Sequence, residues 1–175
     1  MAEDLNLINE VGAWSLRSAC MQKAAGQREG LPPVRIAVDV AARQLQQQGF
    51  AKQVRDILNE ANVLPESLEL ELTETALLHS LDRAPTTLNE LCDLGVRVAI
   101  DDFGTGYSSL SYLQKLPVNR VKIDQSFVHG ITDHSQETLP LIRAIVDLAH
   151  GLGLTVLAEG VETEHQFAAL AAAGC

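Results

Sequence analysis

Positive charge is scarce in this sequence: 13 lysines and arginines stand against 23 aspartates and glutamates, a formal net charge of −10 over 175 residues. A field of that sign repels a nucleic acid polyanion, so polymeric nucleic acid is excluded as a partner, and any anionic ligand needs cations to mediate. Cysteine is scarce as well. Cys20, Cys92 and Cys175 are far apart and show no Cys-x-x-Cys spacing, which excludes a disulfide framework or a zinc cage and leaves them as reduced, small core residues. Long apolar runs are missing too. The most apolar region, residues 139–158, is interrupted by Arg143, Asp147 and His150, and the acidic N-terminus has no basic, apolar leader. A soluble, cytoplasmic segment without membrane contact is expected. The histidines form no His-x-x-x-His pair, Ser108-Ser109 lacks a Gly-x-Ser-x-Gly context, and Gly104-Thr-Gly106 is too short for a dinucleotide fingerprint.

What is present is organised around residues 96–106, Val-Arg-Val-Ala-Ile-Asp-Asp-Phe-Gly-Thr-Gly. Strand formers run directly into two adjacent carboxylates and a glycine turn. Side chains alternate along a strand, so Val96, Val98 and Ile100 share one side of the pleat, while Arg97, Ala99 and Asp101 share the other. Asp102 is expected to begin the loop. Two neighbouring acids repel unless protons or cations intervene, and the pair suits either an Asx-type turn or a metal site.

A hydrophobic fraction of 46% at this length fits one globular domain, or part of a larger α/β barrel. Periodicity predicts a helix over residues 7–25 stopped by Gly26 with Gly30-Leu31-Pro32-Pro33, a strand over 34–40 and a helix over 42–61. A strand at 68–72, a helix at 77–94 ending on Gly95, and the strand beginning at Val96 follow. Beyond these lie a short helix over 108–115, a strand over 120–124, a helix over 137–150, a strand over 154–158 and a last helix over 164–173. About five successive βα units after an N-terminal helix are the pattern of a parallel α/β architecture, with no linker or domain boundary.

Face parity separates a barrel from a doubly wound sheet. In residues 68–72 the leucines share one side and Glu69 and Glu71 the other, and Arg120, Lys122 and Asp124 oppose Val121 and Ile123. A sheet covered by helices on both faces has strands that are apolar throughout, whereas a charged inner face suits a closed barrel whose active site lies at the C-terminal rim. The strands end near Asp39, Glu71, Asp101 with Asp102, Asp124 and Glu159. Any one of these acids could cap a helix or complement its dipole. Together, Asp39, Glu71, Asp101, Asp102 and Glu159 offer oxygen ligands at one rim, as hard Mg²⁺ or Mn²⁺ ions require, and an acid cluster large enough for two cations suits phosphodiester hydrolysis. Lys122, Asp124, Glu159 and Glu162 are the candidate catalytic residues. Lys122 either balances the acids in a salt bridge or holds the attacking water or a phosphate oxygen. Glu74, past the strand end, reads as a loop-fixing acid.

Four stretches carry a resemblance: Glu71-Leu-Thr-Glu74, Asp101-Asp-Phe-Gly-Thr-Gly-Tyr-Ser-Ser-Leu110, Lys122-Ile-Asp-Gln-Ser-Phe-Val128 and Ala158-Glu-Gly-Val-Glu162. In this order they resemble the EAL family of cyclic di-GMP phosphodiesterases over essentially the whole chain. The resemblance implies a variant TIM-type α/β barrel that hydrolyses cyclic di-GMP to linear pGpG with Mg²⁺ or Mn²⁺. It implies metal ligation by Glu71, Asp101, Asp102 and Glu159, action of Lys122 at the attacking water, and support of the site by Glu162. It further implies that Glu74 anchors the loop after Asp102, through which a homodimer communicates. Asp39 departs from the pattern, since the family has an asparagine ligand there. The naming Glu-Ala-Leu strand does not precede the first helix, and the last barrel strands do not follow Cys175. The expectation is therefore a single domain over 1–175, truncated at both ends and poorly active alone. The rival expectation is a degenerate module that binds cyclic di-GMP or a partner domain without turnover.

Overall fold

The computed structural model describes residues 7–78, 80, 84–105, 113–131 and 138–175. The chain divides into two compact units, residues 1–98 and 99–175, with the division falling inside one strand.

The first unit opens with α1, Ile8–Arg28, which packs on the strand β1, Ile36–Asp39, and buries Leu16, Cys20 and Lys23. α1 runs three residues beyond the expected 25. Of the expected stop residues, Gly26 lies inside the helix. The stop lies at Gly30, whose φ of +83° suits a residue without a β-carbon. There the Leu31 amide donates to the Gly26 carbonyl at 3.0 Å and the Gly30 amide to that of Gln27 at 3.1 Å, a Schellman turn that folds Leu31 over Gly26.

The single helix expected over 42–61 is two: α2, Ala42–Leu45, and α3, Phe50–Ala61. The chain turns through Gly49 between them, and α3 buries Phe50, Val54, Ile57 and Leu58. A 3₁₀ turn at Pro65–Ser67 leads into β2, Leu68–Thr73, which pairs parallel with β1 so that Asp39 stands opposite Glu71. The helix expected over 77–94 is likewise divided into α4, Glu74–Leu78, and α5, Ala84–Asp93. Positions 79 and 81–83 lie outside the described residues. Pro85 explains where α5 starts, because proline is tolerated only in a helix's first turn.

β3, Arg97–Phe103, extends past Asp102, which was expected to begin the loop. In the second unit β3 pairs parallel with β4, Arg120–Ile123, and β4 with β5, Thr155–Ala158. Asp124 is no longer strand: it caps α6, Gln125–His129, a helix absent from the sequence expectation. α7, Thr138–Gly151, buries Ile142, Ile145, Val146 and Ala149, and α8, Glu164–Ala173, falls where the periodicity places it. Most of the short helix expected over 108–115 lies outside the described residues, as does the Gly106 end of the glycine turn.

The strands follow the order β1-β2-β3-β4-β5 across one parallel sheet, with β1 and β5 at its edges among the described residues. This is α/β architecture with an open sheet. The charged side of β2 is not simply solvated: Glu69 is 3% exposed and lies 3.7 Å from the Arg35 guanidinium. Of the cysteines, Cys20 is a core residue as expected, but Cys92 and Cys175 are exposed, and all three are free. Ile142 has no exposed surface, so Ile142→Ala is expected to lower unfolding free energy by about 2–5 kcal/mol in chemical denaturation. A smaller loss would mean that α7 repacks around the deleted atoms.

Candidate functional site

In the first unit Asp39 and Glu71 are register partners at the C-terminal ends of β1 and β2, Asp39 exposed and Glu71 half-buried. Both border a cavity of about 530 Å³ that the N-terminal half of α1 closes on one side. After Asp39 the chain passes into α2, whose buried Gln44 accepts the Ala41 amide at 3.0 Å through Oε1. Gln44 lies against Gly12 so closely that a β-carbon there would stand 2.0 Å from its Nε2. Glu74 is buried and opens α4; it follows the strand directly, with no loop between.

The second unit assembles the rest around a bulge. Ala99 and Ile100 face Arg120 and Val121, yet the next matched pair is Phe103 with Ile123, so Asp101 and Asp102 together oppose Lys122. A bulge sets two residues against one and re-aims their side chains. Asp102 takes the left-handed conformation, φ +53°, which aspartate tolerates better than most residues. The Thr105 amide and hydroxyl donate to its carbonyl at 3.3 and 2.8 Å, and Asp101 Oδ1 accepts the Asp102 amide at 2.9 Å.

Lys122 is 5% exposed, and its ammonium lies 3.2 Å from Asp101 Oδ2 and 2.6 Å from Glu159 Oε1. A buried ammonium between two carboxylates is held charged by them. Glu159 follows β5 and continues its ladder, its amide donating to the Ile123 carbonyl at 3.2 Å. Asp102 faces the remaining negative charge: burial raises its pKa most, followed by Asp101, Asp124 and Glu159 nearby. Asp124 moves the other way, because the Ser126 hydroxyl and amide both donate to it, the amide at 2.9 Å, and because it accepts a hydrogen bond from Asp102. Glu162 is largely exposed and lies 3.9 Å from His129 Nε2.

Gly160 joins Glu159 to Glu162 at φ +70°, and a β-carbon there would fall 2.7 Å from Gln125 Cβ. Gln166, overlooked in the sequence reading, fastens the other end of this segment: Oε1 accepts the Glu162 and Thr163 amides at 2.8 and 3.0 Å. The signal was present as Thr-x-x-Gln before an apolar run, the signature of a capping box.

Asp102→Asn is expected to raise the melting temperature at neutral pH without divalent cations. A raised carboxyl pKa contributes stability fully below the unfolded value and loses it as pH rises through the folded value, so the charged form is the costly one. The gain should shrink on acidification. A melting temperature lowered equally at every pH would show that the bulge needs the carboxylate.

Parallel α/β strands with acids at their C-terminal ends, and in the second unit a buried lysine flanked by Asp101 and Glu159, define an α/β domain with an oxygen-rich strand-end site. The chain belongs to the EAL domain family, whose model matches residues 1–175. It is 43% identical over 175 residues to an uncharacterized signaling protein of Caulobacter vibrioides, covering all of this chain and 21% of that protein. It is 41% identical over 170 residues to the cyclic di-GMP phosphodiesterase NbdA of Pseudomonas aeruginosa, covering 97% of this chain and 22% of NbdA. The solved structure of the PaMucR phosphodiesterase in complex with c-di-GMP superposes with a TM-score of 0.91 at 39% identity, covering 99% of this chain and 70% of that one. The chain spans about a fifth of the length of the curated relatives it matches. Among the described residues no helix is long and apolar enough to cross a membrane.

Proposed function

We propose that this chain forms the catalytic core of a metal-dependent phosphodiesterase that hydrolyses cyclic di-GMP to linear pGpG in the cytoplasm, residues 1–175 acting as a single domain. The observation that carries the reading is the buried Lys122 ammonium set between Asp101 and Glu159, opposite the Asp101-Asp102 bulge. The donor set fits the group it implies: every candidate ligand is a carboxylate oxygen, and burial followed by the neighbouring acids disfavours the charged form of Asp102, which a cation would offset. Asp39, Glu71, Asp101, Asp102 and Glu159 would hold Mg²⁺ or Mn²⁺, two ions in the working site. Asp39 carries one more negative charge than the family's asparagine. Bound, such ions polarise the phosphodiester, lower the pKa of water and neutralise the leaving oxygen.

The chain's own residues supply the remainder. Lys122 directs an N–H at the attacking water or a phosphate oxygen, while its pairing with Asp101 and Glu159 keeps it protonated and oriented. Asp124, held by the Ser126 amide and hydroxyl, stands beside Asp102, and Glu162 supports the site at its exposed edge. Glu74 anchors the loop after Asp102, through which a homodimer forms.

The test is calorimetric titration of the protein with cyclic di-GMP in Ca²⁺, followed by chromatographic product analysis in Mg²⁺. Binding followed by pGpG is expected. Binding without pGpG would identify a receptor module, and no binding would end both readings.

A further inference from the structure

We propose that Gln166 is a positioning residue for the segment that carries Glu159 and Glu162; the inference rests on the phosphodiesterase reading of those two acids. Gln166 occupies the third position of α8 and is 7% exposed. In an ordinary capping box such a residue reaches back to one amide, that of the N-cap. Gln166 does more. Its Oε1 accepts the Thr163 amide at 3.0 Å and also the Glu162 amide at 2.8 Å, while its Nε2 donates to the Val128 carbonyl of α6 at 3.3 Å.

α6 follows directly on β4, the strand that bears Lys122, and is capped by Asp124, the partner of Asp102. One buried amide therefore ties the far end of the Glu159–Glu162 segment to the element that follows the lysine. The near end is tied by the Glu159 amide on Ile123, and the middle rests through Gly160 against Gln125. Fixed at three points, the segment holds Glu159 Oε1 at 2.6 Å from the Lys122 ammonium. Removing the Gln166 amide leaves the Glu162 and Thr163 N–H groups and the Val128 carbonyl without that partner, and the segment keeps one firm end. Outer hydrogen-bond partners of metal ligands typically govern affinity or activity by about 10–100-fold.

The test compares Gln166→Leu, Gln166→Glu and Thr163→Ala in the full-length protein. Thr163→Ala serves as the control for helix capping alone, because it removes the cap hydroxyl from the Gln166 amide but leaves both Oε1 contacts. Three readouts are taken: Mn²⁺ affinity by calorimetry, amide exchange across residues 160–163, and kcat with KM for cyclic di-GMP. Gln166→Leu is expected to weaken Mn²⁺ binding about 10–100-fold, speed exchange at Glu162 and Thr163, and lower kcat while KM stays within about threefold. Gln166→Glu, which keeps the acceptor for both amides, should recover much of the Mn²⁺ affinity. Thr163→Ala should lower the melting temperature yet leave Mn²⁺ affinity within about twofold. Unchanged Mn²⁺ affinity in Gln166→Leu, or an equal loss in Thr163→Ala, would overturn the proposal. If the wild-type protein binds Mn²⁺ but releases no pGpG, the phosphodiesterase reading fails, while the Mn²⁺ and exchange comparisons still decide the role of Gln166.

Discussion

Asp101→Asn is expected to reduce hydrolysis of cyclic di-GMP by on the order of a hundredfold to a thousandfold while nucleotide binding changes far less. Asp101 sits in the bulge with its carboxylate shared between the Asp102 amide and the Lys122 ammonium, so it touches both the candidate cation ligands and the candidate catalytic cation. Asparagine keeps the volume and one acceptor oxygen, and therefore the amide contact that shapes the bulge. It removes the charge that, on the proposed mechanism, would hold a divalent ion, and the charge that pairs with Lys122. Base and ribose contacts do not depend on that charge, so affinity in Ca²⁺ should persist. Turnover in Mg²⁺ and binding in Ca²⁺ are measured on the same preparation. Near-normal turnover would show that the strand-end acids serve the fold alone.

Lys122→Ala should be almost as damaging to turnover and should also change how the protein responds to metal. The ammonium is 7% exposed as a side chain, and it separates Asp101 from Glu159, whose own side chain is 38% exposed. Deleting one member of a fully buried pair costs about 3–5 kcal/mol, because the partner charge is left uncompensated. Here water reaches Glu159, so a loss of about 2 kcal/mol is expected. The repulsion left between the acids is relieved by a bound divalent ion, so Mn²⁺ should raise the melting temperature of Lys122→Ala by more than that of the wild type. Catalysis should not return with the stability, since the ammonium to which the proposed mechanism assigns the attacking water is gone. An equal Mn²⁺ response in the two proteins would mean that Lys122 does not shield these acids.

Much of the fold was legible residue by residue. Strands rich in valine, isoleucine and leucine alternate with helical patterns, and α8 begins and ends where its apolar spacing places it. The errors cluster where a helix is interrupted. Residues 46–49 carry no proline, and the helical pattern of Leu45, Phe50 and Val54 bridges the gap without revealing that the chain turns through Gly49. Asp124 was read as a strand-end acid because its cap partner, Ser126, is informative only once a helix is known to start there. Gly26 was read together with Gly30 as the stop of α1, but only Gly30 ends it: the missing β-carbon of Gly26 serves Leu31, which folds back over it five residues later.

The sequence by itself displayed the chemistry of the candidate site: carboxylates clustered near the strand ends, one lysine that accompanies them, and a net charge of −10 that suits cations as ligand partners. It determined the parallel α/β class as well, because side-chain periodicity is a local property that each segment displays alone. Only the tertiary structure decided that Asp101 and Asp102 both oppose Lys122, since a bulge is a mismatch between two strands and neither strand encodes it separately. Only the tertiary structure put the Lys122 ammonium within 3.2 Å of Asp101 and 2.6 Å of Glu159, and Gln166 between α6 and the Glu162 amide. The Lys122 contacts and the Gln166 bond to Val128 follow from strand register and from the docking of helices, which join residues 21 to 38 positions apart in the chain.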